Sequence, residues 1–144
     1  MRIVVDTNIV FSAILNASSL IGEILFNSEE QFNFYTTGFM ESELSKYSSK
    51  LKKATSMDDK QLSVSIRQVF NNIQLISNEA ISPKHWMEAY QLTFDIDEKD
   101  TPFIATTISL NAILWTGDKK LITGLRKKGF NDIINTRELL KKRN

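Results

Sequence analysis

Four acidic residues occupy places where a carboxylate can be put to chemical use: Asp6, Glu43, Asp100 and Asp118. Asp6 closes the β-branched run Ile3-Val4-Val5, and Asp118 follows the apolar stretch Ile113-Leu114-Trp115 after Thr116-Gly117. Apolar runs without polar alternation are expected of buried parallel strands, so both acids fall at strand ends. Each also has a plainer reading as the N-cap of a helix, one beginning near Asn8 and the other at Lys119-Lys120-Leu121. Glu43 sits within a helical stripe formed by Met40, Leu44, Tyr47 and Leu51, whereas the helical period turns Glu41 to roughly the opposite face. Asp100 shares a helical face with Phe103, Ile104, Thr107 and Ile108, and with Pro102 in the first turn it too suits an N-cap. Asp97, one turn earlier, is a fifth acid within reach, while Asp95 and Glu98 read as surface charge.

Carboxylates that converge on one cleft repel one another and resist ionising together unless a divalent cation lies among them. The chain has no cysteine and a single histidine, His85, which excludes disulfides, thiolate zinc sites, cysteine nucleophiles and multi-histidine metal sites. A metal must then be held largely by oxygen. That suits Mg²⁺ or Mn²⁺, bound through one or two carboxylates with waters and a substrate phosphate in the remaining positions. Such an ion activates a bound water and neutralises charge on phosphorus, so hydrolysis of a phosphodiester is the expected chemistry.

Charge is segregated along the chain. Residues 1–118 hold 9 Lys+Arg against 15 Asp+Glu, whereas residues 119–144 hold 9 Lys+Arg against 2 acids. The basic groups include Lys119, Lys120, Arg126, Lys127 and Lys128, a pattern that fits either a polyanionic partner or a solvated Lys-rich end.

These residues need elements to position them. Ile3–Val5 and Ile113–Trp115 are the strongest strand candidates, with weaker ones at 32–36, 73–76 and 132–135. Helical patterns cover 39–53, 58–70, 83–94, 102–110, 119–128 and 137–142. Strands alternating with helices predict an α/β domain with a central, mainly parallel sheet flanked by helices, its functional residues at the carboxyl ends of the strands. The length of 144 residues suits one domain spanning 1–144. No apolar run approaches the roughly 20 residues of a membrane span, and no secretory signal pattern is evident, so a cytoplasmic protein without membrane contact is expected. Two other readings fit the acids less well: a Mg²⁺-dependent phosphatase or phosphotransfer domain with Asp6 as nucleophile, and a non-catalytic module that binds RNA or protein. The first lacks the second acid such sites want, because Asn8 stands in its place.

The pieces Ile3-Val4-Val5-Asp6-Thr7-Asn8, Ser42-Glu43-Leu44, Asp100-Thr101-Pro102-Phe103-Ile104-Ala105 and Trp115-Thr116-Gly117-Asp118, taken in this order and spacing, resemble the PIN domain family of nucleases essentially end to end. The free-standing size is similar to VapC-like toxin components of toxin-antitoxin pairs. The resemblance implies a parallel sheet flanked by helices, a Mg²⁺ or Mn²⁺ site, and endonucleolytic cleavage of single-stranded RNA. It further implies a small cognate antitoxin and a homodimer. Carried over by position, Asp6, Glu43, Asp100 and Asp118 match the family's four acids, and Asn8 and Thr116 match polar residues that support them. The expected division of labour gives the principal ion to Asp6 and Asp118 with Asp100 beside them. Glu43 serves a second ion or the attacking water, Asp97 is an additional candidate ligand, and the basic groups of 119–128 meet the nucleic-acid backbone.

Overall fold

Ile3, Val4 and Val5 are all fully buried, which requires a strand covered on both faces and flanked on both edges. In the computed structural model, which describes residues 1–144, this strand is Arg2–Val5 (β1). It lies at the centre of a five-stranded sheet with Asn33–Thr37 (β2), Ile73–Ile76 (β3), Ile113–Trp115 (β4) and Ile133–Ile134 (β5). The order is β3-β2-β1-β4-β5 and every pairing is parallel. The chain therefore winds from β1 outward through β2 and β3, then returns to pair β4 on the other side of β1. That reversal leaves a crevice at the carboxyl ends of β1 and β4, where open α/β sheets bind their ligands.

Eight helices cover the sheet: Thr7–Leu15 (α1), Leu20–Phe26 (α2), Met40–Lys53 (α3), Asp59–Phe70 (α4), Pro83–Thr93 (α5), Thr101–Leu110 (α6), Lys119–Lys127 (α7) and Thr136–Arg143 (α8). Six of them lie where the periodicity places them. The segment 7–26 is where the pattern gives least, no more than a helix start near Asn8, yet it holds two helices. In α1, TNIVFSAIL, apolar residues dominate and no polar face marks a period. α2 is only seven residues long and is announced by one cap, Ser19, whose hydroxyl accepts the Gly22 N–H at 3.2 Å. A Cβ on Gly22 would stand 2.2 Å from the Ala17 carbonyl oxygen, so the α1–α2 corner admits no side chain there.

Packing then fixes the elements that carry the site. α6 is buried along Phe103, Ile104 and Ala105, so its N-terminus is held against the sheet. Its first residue is tied to the last residue of α5 by the buried hydroxyls of Thr101 and Thr93, 2.7 Å apart. Trp115 is fully buried, and its indole N–H donates to Thr136 Oγ1 at 3.0 Å, a core role rather than a base-stacking one. No single helix is long and apolar enough to cross a membrane.

Candidate active site

Parallel register sets the first wall of the crevice. Val5 is paired with Trp115, so the residues that follow, Asp6 and Thr116, emerge side by side. The Asp6 N–H donates to the Trp115 carbonyl at 3.1 Å. The Thr116 hydroxyl donates to Asp6 Oδ2 at 2.6 Å and accepts the Asp118 N–H at 3.1 Å. One buried hydroxyl thus joins the two strand-end acids. Both acids are also caps: Thr7 N–H donates to Asp6 Oδ1 at 2.7 Å and Leu121 N–H to Asp118 Oδ1 at 3.1 Å. Capping and crevice placement therefore coexist at these two positions.

Asp100 behaves differently. It occupies the N-cap position of α6, but its side chain makes no capping bond. Its Oδ2 is buried without any hydrogen-bond partner, an arrangement that costs free energy unless something else satisfies it. Burial pushes the Asp100 carboxyl up to about 7, and the neighbouring charges of Asp6, Asp97 and Asp118 act in the same direction. Asp6, only 5% exposed, is also raised above the ordinary carboxylate range, chiefly by burial. The bonds from Thr116 and Thr7 oppose that shift, and Asp118 and Asp97 add to it. Acids that share one cleft repel one another, the condition that a cation relieves.

The acids share a cleft of about 330 Å³. Asp6, Asn8, Glu43, Asp97, Asp100 and Asp118 all line it, with Phe11, Leu15, Leu51 and Phe103 as its apolar side. Glu43 is half-buried and faces the cleft, while Glu41 faces solvent, as the helical period predicts. The acids expected to serve a principal ion (Asp6 and Asp118, with Asp100 beside them), a second ion or a water (Glu43) and an additional ligand position (Asp97) thus face one space. No group of three or more acids is arranged to hold an ion. In this arrangement Asp6 has both oxygens hydrogen-bonded, Asp118 turns Oδ1 to its helix, and Asp97 Oδ1 accepts the Lys99 N–H at 3.0 Å. The donor set nevertheless suits a hard cation that keeps most of its waters, for which one or two carboxylates suffice. The unpartnered Asp100 Oδ2 is the oxygen best placed to welcome one.

None of Lys119, Lys120, Arg126, Lys127 and Lys128 lines the cleft. Arg126 donates to the Ile133 carbonyl and pairs with Glu138. Lys128 pairs with Asp95 and donates to the Leu92 carbonyl at 3.0 Å, so both are tied to the fold. The cations that do line the cleft are Lys46, Lys50 and Lys99, which the acid-led reading of the sequence passes over. A signal for two of them was available: Lys46, Tyr47 and Lys50 stand three, four and seven residues after Glu43, on its own helical face.

Fold and crevice together define a class. A model of the PIN domain matches residues 4–141, and the chain belongs to the PIN domain family, a family of nucleases. Among solved structures, VapBC2 from Rickettsia felis bound to a DNA fragment from its promoter is similar, with a TM-score of 0.64 and 18% identity over 94% of this chain and 97% of that one. PAE2754 from Pyrobaculum aerophilum is similar with a TM-score of 0.67 and 13% identity over 99% of this chain and 89% of that one. At these identities the likeness shows the fold. No curated protein matches the sequence.

Proposed function

We propose that this chain is a Mg²⁺- or Mn²⁺-dependent endoribonuclease that hydrolyses phosphodiester bonds of single-stranded RNA, with Asp6, Glu43, Asp100 and Asp118 as its catalytic acids. The observation that carries the reading is Asp100, whose buried, unpartnered Oδ2 lies in the same cleft as Asp6 and Asp118 at the switch point of the sheet. A bound divalent ion supplies an activated water and neutralises charge on the phosphate. Asp6, fixed by Thr116 and Thr7, is the rigid donor of the site. Asp118 keeps Oδ2 clear of hydrogen bonds while Oδ1 holds its helix, and Asp100 offers the driest oxygen. The Glu43 side chain has neither an ion pair nor a hydrogen bond, which leaves it free to orient a water for attack. Asp97 stands at the rim as a substitute ligand, and Asn8 at the cleft edge as a donor to phosphate.

Asn8 stands where a phosphotransfer site of this kind wants a second acid, which argues against Asp6 as the nucleophile of a phosphotransfer reaction. Incubation of the protein with Mn²⁺ and a labelled single-stranded RNA, beside the same sequence as duplex and as DNA, tests the reading. Endonucleolytic products from single-stranded RNA alone, lost with Asp6→Asn, support it. An acyl-phosphate trapped on Asp6, or binding without cleavage in every metal, overturns it.

The biological setting proposed is that of a cytoplasmic toxin, acting as a homodimer and covered by a small antitoxin. It is supported by the VapC-like resemblance and by the end-to-end match to a chain of the VapBC2 structure. Expression should arrest growth, and co-expression of a short antitoxin-like protein encoded beside it should relieve the arrest. Growth that is indifferent to both would remove the toxin role and leave the nuclease.

A further inference from the structure

The acid cleft carries an unused second wall. Along α3, Lys46, Tyr47 and Lys50 face the same space as Asp6 and Asp100. The Lys46 and Lys50 ammonium groups stand 5.3 and 5.8 Å from the centre of the Tyr47 ring. Neither lysine has a salt bridge, although each of the protein's four ion pairs draws on a lysine or arginine elsewhere. Two cations left unpaired beside a carboxylate-lined cleft, held over an aromatic face, are poised to exchange that weak contact for phosphate oxygens. The Tyr47 ring is braced edge-on by Phe11, with centroids 5.9 Å apart and planes at 72°, and it is partly exposed. A braced, partly exposed ring between two free cations is the combination that binds one unpaired nucleotide: a base stacks on the ring while the backbone meets the charges.

We infer that Lys46, Tyr47 and Lys50 form the cradle for the nucleotide next to the scissile phosphate of single-stranded RNA, so that the substrate enters along α3 and not across the basic surface of α7. This rests on the nuclease reading and adds the path of the strand. A duplex is excluded by the same geometry, because a paired and stacked base presents no face to Tyr47. Tyr47 is a binding residue here, with its hydroxyl dispensable; Lys46 and Lys50 supply charge alone.

The test is equilibrium binding of a fluorescent eight-nucleotide RNA in Ca²⁺, together with cleavage kinetics in Mn²⁺. Replacing Lys46 and Lys50 with glutamine should weaken binding about tenfold and flatten the salt dependence by about 0.7 per lost contact. Tyr47→Leu should weaken binding about tenfold without changing the salt slope, and Tyr47→Phe should bind as wild type, because stacking needs the ring only. The effect in kinetics should fall on KM. Photocrosslinking of a 4-thiouridine oligonucleotide to the unmodified protein guards against a misfolded variant, and the adduct should map to residues 46–50. If wild type cleaves RNA but the α3 variants bind as wild type, or the adduct maps to residues 119–128, the cradle is refuted and the nuclease stands. If wild type neither binds nor cleaves, both fall.

Discussion

The two walls of the cleft are built on different principles. On one side Asp6, Thr116 and Asp118 are fixed by sheet register, helix caps and a shared hydroxyl, so each acid has one position. On the other, Glu43, Lys46, Tyr47 and Lys50 project from one face of a helix with no hydrogen bond to hold the charged ends. Under the proposed function the first wall presents oxygens to an ion and a water, and it gains from rigidity because small displacements cost catalysis dearly. A wall that receives a flexible strand has no such need. The contrast teaches that charge alone does not mark function in this protein: Arg126 and Lys128, in the most basic stretch, are spent on the fold, while the sparser cations of α3 remain free.

The comparison breaks most visibly through catalysis. Loss of an outer partner of a metal ligand typically costs about 10–100-fold, so Asp6→Asn and Asp100→Asn should each slow cleavage by at least about a hundredfold while still binding RNA. Glu43→Gln should slow it as well but leave Tm unchanged, because nothing in the fold leans on that side chain. A Glu43→Gln enzyme that is fully active, measured under single-turnover conditions, would remove α3 from the chemistry. Thr116→Val sharpens the contrast from the rigid side. It deprives Asp6 and the Asp118 N–H of their common partner, and chemical denaturation should show a loss of about 1–3 kcal/mol, the cost of buried polar groups left unsatisfied. Activity should fall with it.

A pH prediction follows from Asp100. Its carboxyl titrates near 7 in the fold against about 3.9 in an unfolded chain. The folded state therefore holds the proton more tightly, and the stability this confers is full below about pH 4 and is lost as pH rises through about 7. Asparagine cannot ionise. In metal-free protein the Tm of Asp100→Asn should pull ahead of wild type between pH 4 and pH 7, and the gap should level off above. A constant gap would mean that Asp100 ionises as an exposed acid does. The smallest effect belongs to the open wall: Lys50→Gln should change stability by no more than about 0.5 kcal/mol in urea unfolding.

Much of this was legible in the sequence, and for identifiable reasons. The continuous apolar runs before Asp6 and Asp118 and the spacing of Glu43 and Asp100 on apolar helical faces predict the sheet and the shared cleft. Residues 7–26 were opaque because α1 is too apolar to show a period and α2 too short. That Asp6 and Asp118 serve as caps, whereas Asp100 sits at a cap position without capping, depends on side-chain rotation that spacing does not encode. The same holds for the absence of a three-acid cage, which depends on side-chain positions that only the fold reveals. Within the basic stretch, composition counts Arg126 and Lys128 alike with their neighbours but not the carbonyls and acids that occupy these two.

The central claim is that the acids of this cleft work as a divalent-cation site for RNA hydrolysis. It is tested most directly by following Mn²⁺ binding and cleavage of a single-stranded RNA in the same titration, for wild type and Asp100→Asn. The account predicts that cleavage by wild type rises with Mn²⁺ occupancy, stops in EDTA, and is absent with Asp100→Asn at all but far higher Mn²⁺. Cleavage that persists in EDTA, or that survives undiminished in Asp100→Asn, would contradict it.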